Sequence, residues 1–192
     1  YEGEPITKRN RVLFWRDLTF DNGADVVLDA YEKLAPKYPD VHFDFAVRQH
    51  WEPIEGIEEV AEKYENIHMF HFPYEEGVTL PKLLLESICV VMPIRQMSID
   101  PQLVIAESLA TGVSLITTDQ RSNPEFVVEG VTGHLVPIGD VDATVAALDK
   151  MLSNVEATIE MGEKAKEDIA ARWNWDNYVT ELVEVYKSVT GS

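Results

Sequence analysis

Basic residues are scarce in this sequence: 16 Lys and Arg stand against 34 Asp and Glu, a formal net charge of −18 at pH 7. A field of that sign repels nucleic acid and anionic membrane, so neither is an expected partner. It also makes each cation informative, because an anionic ligand would need local positive charge to overcome the surrounding field. Cysteine is scarcer still. Cys89 is alone, which excludes an internal disulfide and reads as a buried structural thiol. No apolar run approaches the roughly 20 residues that cross a bilayer. The longest, ICVVMPI at 88–94, has the length of a buried strand, and a soluble chain is expected. There is no P-loop, nucleophile elbow or G-x-G-x-x-G. His42, His50, His68, His71 and His134 lack metal-ligand spacing, and the DVD at 140–142 opens a predicted helix, so no metal is expected.

What is present is a regular alternation. RVLFW (11–15) is a continuous apolar run of strand length, Asn22-Gly23 marks a turn, and Val26, Val27, Ala30, Tyr31 and Leu34 recur at helical spacing. VHFDFAV (41–47) alternates like a strand, and IHMFHF (67–72), ICVVMP (88–93), SLITTD (114–119) and GHLVP (133–137) continue the series. Helices are predicted between them, at Ile57–Tyr64 and over LPKLLLES, QLVIAESLAT and NPEFVVEG. Three more follow, at 140–152, 155–172 and about 175–189. Strands and helices alternating at this pace predict one doubly wound α/β domain of Rossmann-like type, spanning 1–192. About six parallel strands would carry helices on both faces. The last helix has a large apolar face, Trp175, Tyr178, Leu182, Val185 and Tyr186 beside Trp173. It either packs on its own sheet or docks on a domain outside this chain. Ligands of such sheets bind at the carboxyl ends of the strands near the switch point, here the loops after Trp15, Pro93, Thr118 and Val136.

Several motifs fall in order in DPQLVIAESLATGVSLITTDQRSNPEFVVEGVTGHLVPIGDVDATVAAL (100–148): AESLATGV, TTD followed by NPE, and GVTGHLVP with Asp140 after it; beyond that stretch comes a late Trp before the last helix. Together they resemble the donor-binding, C-terminal domain of retaining family 4 glycosyltransferases, with weaker similarity from Arg11 to the terminal helix. The resemblance implies one half of a two-domain B-type fold that transfers a sugar from a nucleotide diphosphate donor. It implies no cofactor beyond that donor substrate and an N-terminal acceptor domain as partner. Catalytic groups are expected on that other half. A cytoplasmic setting is implied, with peripheral membrane attachment of the full-length protein as the variant.

A departing nucleoside diphosphate needs cations or N–H donors where charge develops, and helix N-termini supply the latter. Ribose hydroxyls suit a carboxylate. Glu107 matches the second Glu of the family's E-x7-E motif, which implies a ribose clamp. Ile99 stands where the first should be, so Asp100 is the candidate for the donor sugar, its other reading being the N-cap of the following helix. Arg16 matches the Arg of the phosphate-binding pair, with Trp15 in place of a glycine; a surface ion pair with Asp17 or Asp21 is its other reading. Asn22, before Gly23, occupies the position of the pair's Lys and brings no charge. Arg95 is the candidate to supply that charge, or else a solvated loop arginine. Gln102 and Leu103 replace the glycine that usually precedes the helix. Asn123 before Pro124 reads as an N-cap, and Glu125 as a first-turn charge.

The departures at Trp15, Asn22, Ile99 and Gln102 leave a second class open: a non-catalytic binding or scaffold domain whose donor site has decayed. A third is another enzyme of the same fold, a sugar-nucleotide epimerase or a glycogen synthase or phosphorylase type.

Overall fold

The computed structural model describes residues 8–48, 54–96 and 99–190; His50 lies outside them. Six strands form one all-parallel sheet in the order β3-β2-β1-β4-β5-β6: β1 (Arg11–Phe14), β2 (His42–Arg48), β3 (Ile67–Phe72), β4 (Ser87–Met92), β5 (Ser114–Thr118) and β6 (Gly133–Val136). The order runs outward in both directions from the β1/β4 pair, so the switch point lies between them. β4 and β5 are buried along their whole length, which is why SICVVM and SLITT lack alternation: helices cover both faces.

Two apolar clusters divide by face. The first joins α1 (Ala24–Leu34), α2 (Ile57–Lys63) and α6 (Val141–Ser153) to the sheet through Val27, Tyr31, Ile57, Leu148 and Met151. The second joins α3 (Leu80–Leu85), α4 (Leu103–Ala110), α5 (Asn123–Phe126) and α7 (Val155–Arg172) through Leu84, Ile105, Leu109, Phe126 and Ile169. Each fully buried Leu or Phe contributes about 1.5–3 kcal/mol of transfer free energy. Helix α1 shows how sequence sets position. Its apolar residues fall on one stripe, Asp25 and Lys33 complement the dipole at either end, and Pro36 follows its C-cap.

Three details differ from the sequence reading. β1 ends at Phe14, because Trp15 leaves the ladder and its indole Nε1 donates to Ser108 Oγ at 3.1 Å. Asn123 caps nothing. Ser122 is the N-cap of α5, while Asn123 is fully buried and its amide donates to Thr118 O at 2.9 Å and Thr117 Oγ1 at 3.2 Å. Helix α8 (Trp175–Thr190) does not pack on the sheet and has no buried residue, with Trp175 and Val189 each 79% exposed. The chain turns away at Trp173, whose ring stacks on Phe126 at 4.2 Å. No described helix is long and apolar enough to cross a membrane.

Candidate functional site

Two loops rise beside each other at the carboxyl ends of β1 and β4, and their composition determines what the crevice offers. The first, 15–23, is tied by short-range bonds: Asn22 and Ala24 donate from their amides to Thr19 O, and Gly23 donates to Phe20 O at 3.0 Å. Gly23 is the N-cap of α1 with φ 76°, and a Cβ there would stand 2.1 Å from Pro93 O. Only glycine satisfies both the left-handed backbone and that contact between the two loops. No side chain caps α1, although its first N–H, that of Ala24, is already taken by Thr19 O at 3.1 Å. α4 likewise starts without a side-chain cap, from Gln102. By contrast Thr79, Asp140 and Asn154 cap α3, α6 and α7 with side-chain oxygens.

Arg16 stands half-buried just past β1, and its Nε and Nη2 lie 3.4 and 3.3 Å from Asn22 Oδ1. The Asn22 amide donates to Asp17 O at 2.9 Å. Asn22 is buried and thus acts as a strut beneath Arg16, a role its place in the pattern did not reveal. A lysine would offer Arg16 no acceptor.

Arg95 is held differently. Its guanidinium pairs bidentately with Asp25 in the first turn of α1, with Nη2 to Oδ2 at 2.7 Å, and donates to Phe20 O at 2.9 Å. It also lies 3.9 Å from the centroid of the Phe20 ring. It is neither a solvated loop arginine nor free to move to a ligand without breaking these contacts.

Glu107 is exposed on α4, as the periodicity predicts, beside the buried Ser108 that receives the Trp15 indole. Asp100 is exposed and accepts a hydrogen bond from Ser122 Oγ, which links the loop before α4 to the loop before α5. It is not an N-cap, since that position belongs to Gln102, whose buried amide donates to Ile99 O at 2.6 Å. Ile99 itself is 68% exposed. Arg16, Asn22, Gly23 and Arg95 therefore belong to one assembly of two loops, and Trp15 ties it to Ser108, the residue after Glu107 on α4. Asp100 belongs to the neighbouring α4–α5 side.

His134 is buried and pairs through Nδ1 with Glu129 at 2.7 Å. Burial works against the Glu129 carboxylate, but the N–H of Leu135 and the His134 ring hold its pKa below the usual range. Both groups are occupied with each other, beside the β6 edge.

A second charged group sits at the opposite ends of the strands, and sequence reasoning missed it. Asp44 is fully buried, 2.6 Å from Arg11 Nη1 and 3.2 Å from His68 Nδ1, while Arg11 Nε bonds Glu86 at 3.0 Å. Burial pushes the Asp44 carboxyl up to about 6 against the pull of Arg11. Burial and then the Arg11 charge hold His42 and His68 below the usual histidine value. The signal available was an Asp on the face of VHFDFAV opposite Phe43 and Phe45. Pockets of about 160 and 430 Å³ flank Phe70, the first lined by Arg11 and Glu86 and the second running along and beyond β3 from His68 to Glu75. Among the described residues, no group of three His, Cys, Asp or Glu could hold a metal ion.

Comparison with known proteins bears on the family and the fold. The D-inositol 3-phosphate glycosyltransferase of Corynebacterium urealyticum is 31% identical over 176 residues, 87% of this chain but 40% of that protein. The chain thus spans well under two thirds of the length of that relative. Among solved structures, the C-terminal domain of a glycosyl transferase group 1 family protein (LpcC) from Francisella tularensis superposes with TM-score 0.72. It is 17% identical, over 86% of each chain. Anabaena HepE, solved with UDP and glucose, gives TM-score 0.68 at 15% identity, over 95% of this chain and 49% of that one. Both structures share the fold. The family profile described as "Glycosyl transferases group 1" matches residues 2–168. With that match over most of its length, the chain belongs to the glycosyl transferases group 1 family.

Proposed function

We propose that this chain is the nucleotide-sugar-binding half of a two-domain glycosyltransferase, transferring a sugar from a nucleoside diphosphate donor with retention of configuration. The observation that carries the reading is the pairing of Arg16 and the uncapped, glycine-started α1 beside the switch point. A diphosphate there would meet a guanidinium and oriented N–H groups in a chain otherwise strongly acidic. Glu107 would accept from the ribose hydroxyls and Asp100 from the donor sugar. Asn22 would hold Arg16 in place rather than contact the ligand. The UDP in the HepE structure supports a nucleoside diphosphate as the class of ligand.

The reaction needs a leaving diphosphate stabilised and an acceptor brought in line. This chain's residues would supply the first, and a preceding half would supply acceptor contacts and catalytic groups. The exposed α8 face of Trp175, Tyr178, Leu182 and Tyr186 would lie against that half. The 40% coverage of the C. urealyticum relative supports such a partner.

A titration of UDP, GDP and ADP into the chain, and a transfer assay over nucleotide sugars and acceptors, test the reading. Binding of one nucleotide with no turnover by these 192 residues is expected. Sustained transfer by the chain alone would refute the two-half reading. The loss of the Lys at Asn22 favours one rival, a decayed non-catalytic domain, and binding of none of the three nucleotides would favour it.

A further inference from the structure

The residue opposite the proposed phosphate site has more contacts to the β1–α1 loop than any ligand role requires. Arg95 follows β4, yet its bonds run to Phe20, Asp21 and Asp25. Its backbone N–H and that of Gln96 both donate to Asp21 O, at 2.8 and 3.1 Å. Its side chain holds the Asp25 carboxylate with two N–H groups, the Phe20 carbonyl with one, and the Phe20 ring with its face. Gly139, in the turn after β6, packs against the guanidinium, where a Cβ would approach Nε to 3.3 Å.

The anchor for these bonds is firm. Thr117 and Thr118 at the end of β5 donate their hydroxyls to Met92 O at 2.9 Å and Ile94 O at 2.7 Å, fixing the strand end that carries Arg95. Gly23 abuts Pro93 O from the other side. A continuous path thus runs from β5 through the β4 loop to the β1–α1 loop. Its last link is one bidentate pair, the geometry in which a guanidinium fixes orientation as well as distance.

We propose that Arg95 is a positioning residue: through Asp25 and Phe20 it holds the loop that aims Arg16 and the α1 N-terminus, and it does not itself touch the phosphates. This rests on the donor-binding reading above. It reassigns the charge that the missing Lys seemed to require. The acidic partner is what separates the two roles. If Arg95 bound phosphate directly, removing Asp25 would free its charge and leave affinity equal or tighter. If it acts through the loop, Asp25 is as necessary as Arg95.

The test is a double-mutant cycle on the chain as it stands, titrating UDP, GDP and ADP into wild type, Arg95→Ala, Asp25→Asn and the double variant. Each single change should weaken the bound nucleotide by about 10-fold or more, and the double variant should be little worse than either, because one link is broken in all three. Weakening by Arg95→Ala with wild-type affinity in Asp25→Asn would make Arg95 a ligand and overturn the proposal. Additive losses would overturn it too. A ligand-free readout runs in parallel: amide hydrogen exchange at Asn22, Gly23 and Ala24 should rise about 10-fold or more in Arg95→Ala, while the exchange of β4 stays unchanged. Unaltered exchange at those amides would refute the clamp even if affinity falls. Asp25→Asn keeps the side chain's shape and serves if Arg95→Ala does not fold. If wild type binds none of the nucleotides, the donor-binding reading falls and this assignment with it, and the exchange data then report only whether the loop is held.

Discussion

At the amino ends of the strands Asp44 is fully buried and shares Arg11 with Glu86, whereas at the carboxyl ends Glu107 and Asp100 face solvent. The first group is closed: its charges satisfy one another across β1, β2 and the start of β4, and a ligand would have to break an existing pair. The second is open. Apart from Asp25, which Arg95 holds, its carboxylates Glu107 and Asp100 stand outside, and its buried polar side chains, Asn22, Gln102 and Ser108, brace loops. The pockets beside Phe70 are lined in part by Arg11, Glu86 and His68, which belong to the closed group. Buried charge with its partners in place is structure, while exposed charge on braced loops is available for recognition.

The largest expected effect lies at the open end. Arg16→Ala should abolish measurable diphosphate binding, and wild-type affinity should fall steeply with salt, as partly exposed ion contacts do. Unchanged nucleotide affinity in calorimetry would move the phosphate site elsewhere.

At the closed end the effect is on pH dependence. Because the folded Asp44 carboxyl titrates near 6, above its unfolded value, the native state holds the extra proton between about pH 4 and 6. Its contribution to stability is therefore complete below that window and is lost as pH rises through it, by about 3 kcal/mol in all. Asp44→Asn should remove this falling limb. Urea denaturation of both proteins from pH 4 to 7 checks it, and parallel curves would mean that Arg11 keeps Asp44 ionised throughout.

Glu107→Ala should weaken nucleotide binding by roughly 1.5–3 kcal/mol, the range for charge-assisted hydrogen bonds, and leave folding nearly unchanged. Equal affinity would leave Glu107 as a surface carboxylate. The smallest effect belongs to a pair outside both groups. Lys33 and Asp142 meet at 3.0 Å with both side chains well exposed. Lys33→Ala should change unfolding free energy by less than about 1 kcal/mol. A larger loss would show that exposure is a poor guide to the worth of a charge here.

The fold was legible because its signals are local. Apolar runs gave the strands within a residue or so at most ends, and β3 at 67–72 coincides with its reading. Of the loops that the sequence singles out, those after Trp15 and Pro93 follow β1 and β4, the pair at the switch point. What the sequence hid were partners brought together by topology. Arg11 and Glu86 are 75 positions apart, and Arg95 and Asp25 are 70 apart. Asn123 misled for a related reason: its local pattern fits a cap, but two buried threonines at the end of β5 take its amide instead.

The lone thiol has a use of its own. Cys89 lies fully buried in β4, paired on one side with β1 and on the other with β5, and burial pushes its pKa far up. It is thus inert until the central strands part. A disulfide reagent should label the native protein only at the rate of its largest openings, and the chain carries its own clock for them.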